Sequence, residues 1–233
     1  MRSPIFATLV CTLSFFASLS LATPTPLKRA DSVAFHDPRA RGGALLNRSG
    51  GLGEPLNVII SGKSSPEILT KNGFLDYARA VGFSMECFGQ HRGDPQPANL
   101  GDGNGWRGER EVLRQHFAIP LLGTCLQSLT GGNHFRVYQQ DGPEANSGAL
   151  FLAVSEEKDL ANNHQIVPNG YNIGRDLFVN GAVGTKRFLL HTYTTTVEEV
   201  RGLLEPGSEG VNHGIAQDGV VKVLTVTRKF SLF

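Results

Sequence analysis

Polar and apolar residues alternate along residues 134–139, and this pattern predicts a β-strand with two unlike faces. Phe135 and Val137 point to one side of it. The opposite, polar side carries His134, Arg136 and Tyr138. The next run, 149–154, is apolar at every position, which predicts a central strand that is buried on both faces. The two segments together indicate the middle of a sheet.

The remaining chain alternates between β-branched runs and helical spacing. Further strands are predicted at residues 56–61, 83–88, 188–196 and 220–227. Helices are predicted at residues 64–81, 109–117, 121–129, 173–179 and 197–204. Residues 89–108 read as a long loop, and Asp218-Gly219 as a hairpin turn. The fold class is therefore α+β: a single domain, with a mixed or antiparallel sheet and short helices packed on it.

The N-terminal residues have the pattern of an export signal. Arg2 precedes an apolar stretch that ends in a small-x-small site, so residues 1–22 are predicted to be a secretory signal peptide. Lys28-Arg29 resembles a dibasic processing site, which makes residues 23–29 a propeptide. The alternative is a chance dibasic pair in a flexible tail. We predict a secreted, extracellular protein with no transmembrane segment in the mature chain.

The processed chain is long enough for one hydrophobic core. Residues 30–54, rich in Gly, Arg and Ala, are predicted to form a flexible N-terminal arm, and residues 55–233 the globular domain. Residues 30–233 hold 19 basic against 21 acidic side chains, a net charge of −2. This balance does not favour a nucleic-acid partner.

Two cysteines remain after signal removal. In an oxidising pathway Cys87 and Cys125 are expected to form a disulfide, and the alternative is two buried free thiols. The sequon Asn47-Arg48-Ser49 predicts N-glycosylation at Asn47, in a segment expected to tolerate a glycan.

Candidate binding residues come from the polar strand and two later segments. Arg136 offers a fixed fork to carboxylate or phosphate, and His134 can donate, accept or ligate. The strand face could hold an anion or a metal-bound substrate, or it could simply be solvated. His164 follows in a loop, where a structural hydrogen bond is the alternative. Arg175 and Asp176 diverge by about 100° on a helix, so a surface ion pair is their alternative.

Several common signatures are missing from the sequence. There is no His-x-His, His-Glu-x-x-His or paired-Cys motif, so no metal site is predicted. Gly-x-Ser-x-Gly is also absent, and catalytic residues stay unassigned. No cofactor is predicted.

Three blocks resemble the LssY C-terminal domain, a domain of unassigned activity found in bacterial membrane proteins. The opening strand and helix at residues 56–83 are similar to the family's strand-glycine-helix-glycine unit. Residues 133–138, Asn-His-Phe-Arg-Val-Tyr, are similar to its His-His-x-Arg-Phe-Trp block. The strand 149–154, followed by residues 163–168 and 174–176, is similar to its apolar strand, His-His-Ile-x-Pro segment and Arg-Asp pair.

The likeness spans residues 55–228 in the right order, with departures. Asparagine replaces the first histidine of both pairs and acidic positions after the proline; these are Asn133, Asn163, Asn169 and Asn172. A metal site built from those histidines and acidic residues would lack several of its ligands here. The family's association with phosphatidic-acid-phosphatase-type domains implies an anionic lipid or phosphate ligand, by analogy. The leader and dibasic site further resemble small secreted fungal proteins.

Two functions remain open from the sequence. The favoured one is a binding or interaction module whose polar site holds a small anionic molecule or an extracellular partner. The ligand-binding candidates are His134, Arg136, Tyr138, His164, Arg175 and Asp176. The alternative is a secreted hydrolase acting on a phosphoester or acyl substrate, with His134 or His164 as general base.

Overall fold

The structure is a computed structural model that describes residues 32–89, 94–117, 119 and 122–231. The predicted signal peptide, residues 1–22, and propeptide, residues 23–29, lie outside the described residues. No helix in the described part of the chain is long and apolar enough to cross a membrane.

Strands supply most of the regular structure among the described residues. They are β1 (Val58–Ile60), β2 (Phe83–Met85), β3 (Ala98–Asn99), β4 (Trp106–Arg107), β5 (Glu111–Gln115), β6 (Gly132–Gly142), β7 (Ala145–Glu157), β8 (Gly184–Phe188), β9 (His191–Val200) and β10 (Val221–Phe230). The helices are α1 (Lys71–Ala80), α2 (Gly123–Thr130) and α3 (Gly170–Ala182). Short 3₁₀ turns lie between them.

One large curled sheet organises this part of the molecule. Its strand order is β2-β5-β6-β7-β1-β10-β9-β8, and β3 and β4 form a separate pair. Strand β1 runs antiparallel to β7 and parallel to β10, so the sheet is mixed. The predicted α+β class, with a single domain and short helices packed on a mixed sheet, is confirmed.

The two faces of the sheet carry separate cores, because successive side chains of a strand point in opposite directions. On β7, Leu150, Leu152 and Val154 join a cluster with residues of α1 and α3. Ala149, Phe151 and Ala153 join the opposite cluster, under irregular segments. The prediction that residues 149–154 are a strand buried on both faces is therefore confirmed.

Two helix predictions are wrong. Residues 109–117 contain β5, which pairs with β2 on one side and β6 on the other. Residues 197–204 contain the end of β9, whose Val200 pairs with Val221. In both segments cross-strand pairing prevails over local helix propensity. Asp218-Gly219 is not a two-residue hairpin turn either, because about twenty residues separate β9 from β10.

The segment expected to be a flexible arm is packed where the structure describes it. Leu45 lies in the second core cluster, and Glu54 is buried. Backbone hydrogen bonds tie Asn47 to Glu54 and Leu56 to Leu45. These residues cover the face of the sheet that α1 and α3 leave open.

Candidate functional site

The polar face of β6 is buried under irregular segments, not solvated. His134 and Tyr138 are almost fully buried, and the Arg136 side chain is nearly so. Phe135 and Val137 point into the core beneath α1 and α3, as the alternation predicts. The pairing register sets the neighbours of His134, which lies between Arg114 of β5 and Ser155 of β7.

A single carboxylate connects the two predicted histidines. Glu157, at the end of β7, has Oε1 3.3 Å from His134 Nε2. Its Oε2 lies 2.6 Å from Arg114 Nη1 and 3.5 Å from His164 Nδ1. The fold thus brings His134 and His164 to one place around Glu157. We call these three residues, together with Arg114, the Glu157 cluster.

Arg114 is the cation of this cluster, and it is held from several sides. Its Nε lies 3.1 Å from Glu86 Oε1, and its Nη1 donates to Gln127 Oε1 of α2 at 3.0 Å. Its Nη2 makes no hydrogen bond to a described residue, so the two N–H groups of this nitrogen are left over. Sequence reasoning missed Arg114 because its segment was predicted to be a helix.

His134 also contacts a hydroxyl, which gives a chain of residue types like that of serine hydrolases. Ser155 Oγ lies 3.3 Å from His134 Nδ1, opposite the contact with Glu157. However, only 1% of Ser155 is exposed. A nucleophile needs space for a substrate carbon about 3 Å away. In this arrangement Ser155 and His134 act as structural hydrogen-bonding partners.

Burial decides the protonation of this cluster. It lowers the pKa of His134 to about 4, although Glu157 acts in the opposite direction. Burial alone would raise the pKa of Glu157, but His134 and Arg114 bring it below its usual value. Because His134 is neutral at pH 7, the Arg114 guanidinium is the partner that keeps Glu157 ionised there.

The lowered pKa of His134 predicts acid sensitivity. Between pH 6.5 and about 4 the unfolded chain binds a proton at this residue that the folded chain does not, so folding stability falls with pH. The loss from pH 6.5 to 4.5 is expected to be roughly 2–3 kcal/mol. Chemical denaturation of wild type and His134→Gln across this range measures it, because the variant lacks the titrating group.

The same comparison with exposed His213→Gln serves as the matched control. Its pH dependence should follow that of the wild type. The window stops at pH 4.5 because the stability that ionised Glu157 contributes is lost at lower pH, as the carboxylate takes up a proton. Parallel curves for wild type and His134→Gln would contradict the assignment of a neutral, buried imidazole.

A cavity of about 410 Å³ opens beside the Glu157 cluster. This volume lies within the usual range for small-molecule sites, about 300–1,000 Å³. The lining residues are Glu86, Cys87, Arg114, Cys125, Ser128, Leu129, Leu160 and His164. The Cys87–Cys125 disulfide forms part of the wall and joins the turn after β2 to α2, so the predicted pairing is confirmed.

His164 reaches this cavity from an unusual backbone. Asn163 and His164 both have positive φ, +52° and +53°, which non-glycine residues seldom adopt. About a quarter of the His164 side chain is exposed. Such strained positions concentrate at functional sites, where the surrounding structure holds them. His164 is therefore both the most exposed side chain of the Glu157 cluster and the one whose backbone conformation is most strained.

Arg136 and Tyr138 belong to a neighbouring, internal network. Arg136 Nη1 lies 2.7 Å from Glu109 Oε1, and its Nε lies 3.8 Å from Glu54 Oε2. Burial raises the pKa of Glu54, and Arg136 opposes that change. Tyr138 donates to the Gln96 carbonyl at 2.8 Å. Arg136 and Tyr138, which were candidates for ligand binding, therefore bind other groups of the protein instead.

Asn47 lies inside this second network and not on an open arm. It is buried, and its Nδ2 donates to Gln96 Oε1 at 3.1 Å and to Tyr138 Oη at 3.0 Å. A glycan on Nδ2 would disrupt these contacts, so the expectation that a glycan is easily tolerated does not match the folded geometry. Glycosylation itself stays a prediction.

Arg175 and Asp176 lie apart from the Glu157 cluster. Arg175 forms a bidentate pair with Asp218, at 2.5 and 2.9 Å, and also donates to the Val220 carbonyl. Its Nε lies 2.8 Å from Asp176 Oδ1, because the long side chain turns back despite the divergence of the two positions. These contacts hold the segment that precedes β10 against helix α3. None of these contacts reaches Glu157.

The side chains around the cavity determine which kind of ligand it can bind. No group of three or more His, Cys, Asp or Glu side chains in the described part of the chain is arranged to hold a metal ion. The polar groups that line the cavity are the Arg114 guanidinium, the His164 imidazole, the Glu86 carboxylate and the Ser128 hydroxyl, and the remaining walls are apolar. Such a set can bind a small polar group through hydrogen bonds.

Comparison with protein-family models, with curated proteins and with solved structures finds no match to this chain. The resemblance to the LssY C-terminal domain therefore stays a prediction.

Proposed function

We propose that this protein is an exported binding module that holds a small molecule with an anionic group in the cavity beside the Glu157 cluster. The observation that carries the proposal is the pair of donor groups that line the cavity, the Arg114 guanidinium and the accessible ring of His164. Leu129 and Leu160 supply apolar walls for the rest of the ligand. Export rests on the predicted leader, and the disulfide supports it.

The charges around Arg114 argue for modest affinity. Glu86 and Glu157 already pair with this guanidinium, so an incoming anion shares it and does not meet a free cation. An anion that accepts hydrogen bonds from both Arg114 and His164 gains the energy of charge-assisted contacts, about 1.5–3 kcal/mol each. Recognition should therefore depend on His164 as strongly as on Arg114.

The test is calorimetric titration with inorganic phosphate and with acetate, benzoate and phenyl phosphate. We expect at least one of the aromatic anions to bind, and His164→Ala to weaken its binding about tenfold. Arg114→Lys keeps the positive charge but loses the fork, so it should weaken binding while the fold remains. His213→Ala, an exposed histidine elsewhere, is the matched control.

Two results would contradict the binding proposal. The first is the absence of heat and of thermal stabilisation with every anion. The second is binding that His164→Ala leaves unchanged, since the ligand would then occupy another place.

A hydrolase is the second candidate, favoured by the position of Glu157 behind His164. A carboxylate beside an imidazole can orient that ring as a general base for a water molecule. Arg114 would then stabilise the negative charge that develops on an ester or phosphoester oxygen. Release of nitrophenol from nitrophenyl acetate or phosphate, abolished by His164→Ala, would support this activity. Ligand binding without release of nitrophenol would contradict the hydrolase and favour the binding module.

A further inference from the structure

A second surface lies far along the sheet from the cavity, where β8, β9 and β10 end together. Strands β8 and β9 join through only Leu189 and Leu190, since Phe188 pairs with His191. Strand β10 extends equally far, with Phe230 opposite His191 and the Ser231 amide donating to the Leu190 carbonyl. We call this end the basic tip. Its residues are Lys186, Arg187, Leu189, Leu190, Arg228, Lys229 and Phe230.

The turn of the basic tip uses residues that hairpin geometry does not favour. Leu189 has a φ of +50°, at the position of a two-residue turn where glycine, asparagine or aspartate is preferred. A bulky side chain in this region is a conformational outlier. Turn stability alone therefore does not account for leucine here, and another requirement must explain it.

The apolar side chains of the basic tip face solvent. Leu189 is 77% exposed, Leu190 48% and Phe230 63%. Single exposed leucines are ordinary on protein surfaces, but here three large apolar residues lie together at the end of the β8–β9 hairpin and of the adjacent β10 and form a protrusion. A protrusion cannot enclose a small ligand, but it can enter a deformable apolar layer.

Basic residues surround this protrusion. Moving away from the turn, the next positions of β8 and β10 are Arg187 and Lys229, and then Lys186 and Arg228. None of the four forms an ion pair with a described carboxylate, and Arg228 instead contacts the ring of His191 at 2.6 Å. This local charge of +4 contrasts with the net charge of −2 of residues 30–233.

The carboxylate of Asp76, which like Arg228 acts electrostatically on Tyr193 of β9, is already paired. Asp76 of α1 pairs with Arg79 at 2.9 Å, and the Arg79 guanidinium lies 5.8 Å from the Phe188 ring. Asp76 therefore brings little opposing charge to the basic tip. An approaching partner therefore meets three exposed apolar side chains that are surrounded by four cations, none of which forms an ion pair with a described carboxylate.

We propose that the basic tip docks this protein on an anionic lipid bilayer. Leu189, Leu190 and Phe230 enter the boundary between headgroups and acyl chains, while the four cations contact lipid phosphates and carboxylates. Apolar residues combined with a basic patch give reversible, peripheral attachment. This contact is separate from the cavity beside the Glu157 cluster, and it goes beyond the proposed binding of a small molecule.

The test is sedimentation of the protein with vesicles of phosphatidylcholine alone and of phosphatidylcholine mixed with phosphatidylserine. Binding is expected only to the mixed vesicles, and it should weaken as salt is raised, since salt screens the attraction. Neutralising two cations, Arg187→Gln with Lys229→Gln, should reduce the partition constant about twenty-fivefold, at about fivefold for each charge.

The sharpest variant replaces the turn itself, Leu189→Asn with Leu190→Gly. This pair is favoured in two-residue hairpins, so the fold should be retained or stabilised while binding falls at least about tenfold. Leu177→Asn on α3, also an exposed leucine, is the apolar control, and Arg201→Gln is the charge control. Both controls should bind as the wild type does.

Three outcomes would overturn the proposal. The wild type could fail to sediment with mixed vesicles at low salt. It could bind the neutral vesicles equally well, which would remove the role of the cations. Or Leu189→Asn with Leu190→Gly, verified as folded by circular dichroism, could bind like the wild type, which would remove the role of the exposed apolar side chains.

Discussion

Arg136→Met is expected to lower the free energy of unfolding by about 3–5 kcal/mol at neutral pH. The change removes the 2.7 Å ion pair of Arg136 with Glu109 and the guanidinium that lies 3.8 Å from the buried Glu54. Breaking a buried ion pair from one side is costly because the buried carboxylates lose the charge that offsets their desolvation. Urea or guanidinium denaturation at pH 7 measures the change.

Arg39→Met is the matched control for this prediction. Arg39 also pairs with a carboxylate, Asp37, at 2.7 Å, but both side chains are exposed, so its loss should cost about 1 kcal/mol or less. Adding Glu54→Gln to Arg136→Met should recover part of the lost stability. A loss as small as that of Arg39→Met would show that Arg136 is not a structural group and would return it to the ligand-binding candidates.

Removal of the disulfide by Cys87→Ser with Cys125→Ser is expected to cost about 4 kcal/mol on the chain-entropy model. The crosslink spans a sequence separation of 38 residues, so its loss frees a long loop in the unfolded chain. It also joins α2 to the turn after β2, at the wall of the cavity. Thermal and chemical denaturation of the double variant give the cost.

Reducing agent provides the internal control for the disulfide. It should destabilise the wild type by a similar amount and leave the double serine variant unchanged. Anion binding at the cavity should weaken in the variant, since α2 positions Gln127 against Arg114 at 3.0 Å. Stability within 1 kcal/mol of the wild type would mean that packing alone holds this region together.

Local pattern was sufficient to predict some of these features and insufficient for others. The alternation along β6 predicts the two faces, and the fully apolar run predicts the centre of β7. Residues 109–117 were wrongly predicted to be helical because Glu, Arg, Leu and Gln favour helices locally, whereas β5 forms through pairing with β6. The absence of Arg114 from the predicted site follows directly from that error.

The candidate site shows the same limit. His134 and His164 were identified as candidates, and the structure brings them together, but Glu157, which connects them, was not singled out. Arg136 and Arg175 carry the residue type that anion recognition needs, yet folding gives each of them internal carboxylates. Sequence alone does not show which charges become partners across the sheet, because pairing of β1 with β10 and of β5 with β6 is long-range.

The position of β1 imposes an order on biosynthesis. This strand has only three residues, and both of its neighbours in the sheet, β7 and β10, come much later in the sequence. On a ribosome the β6–β7 hairpin could form early, but the pairing of β1 with β10 must wait until nearly the whole polypeptide has emerged. Until then Val58–Ile60 would expose backbone edges and apolar side chains, so the nascent chain should need shielding from aggregation.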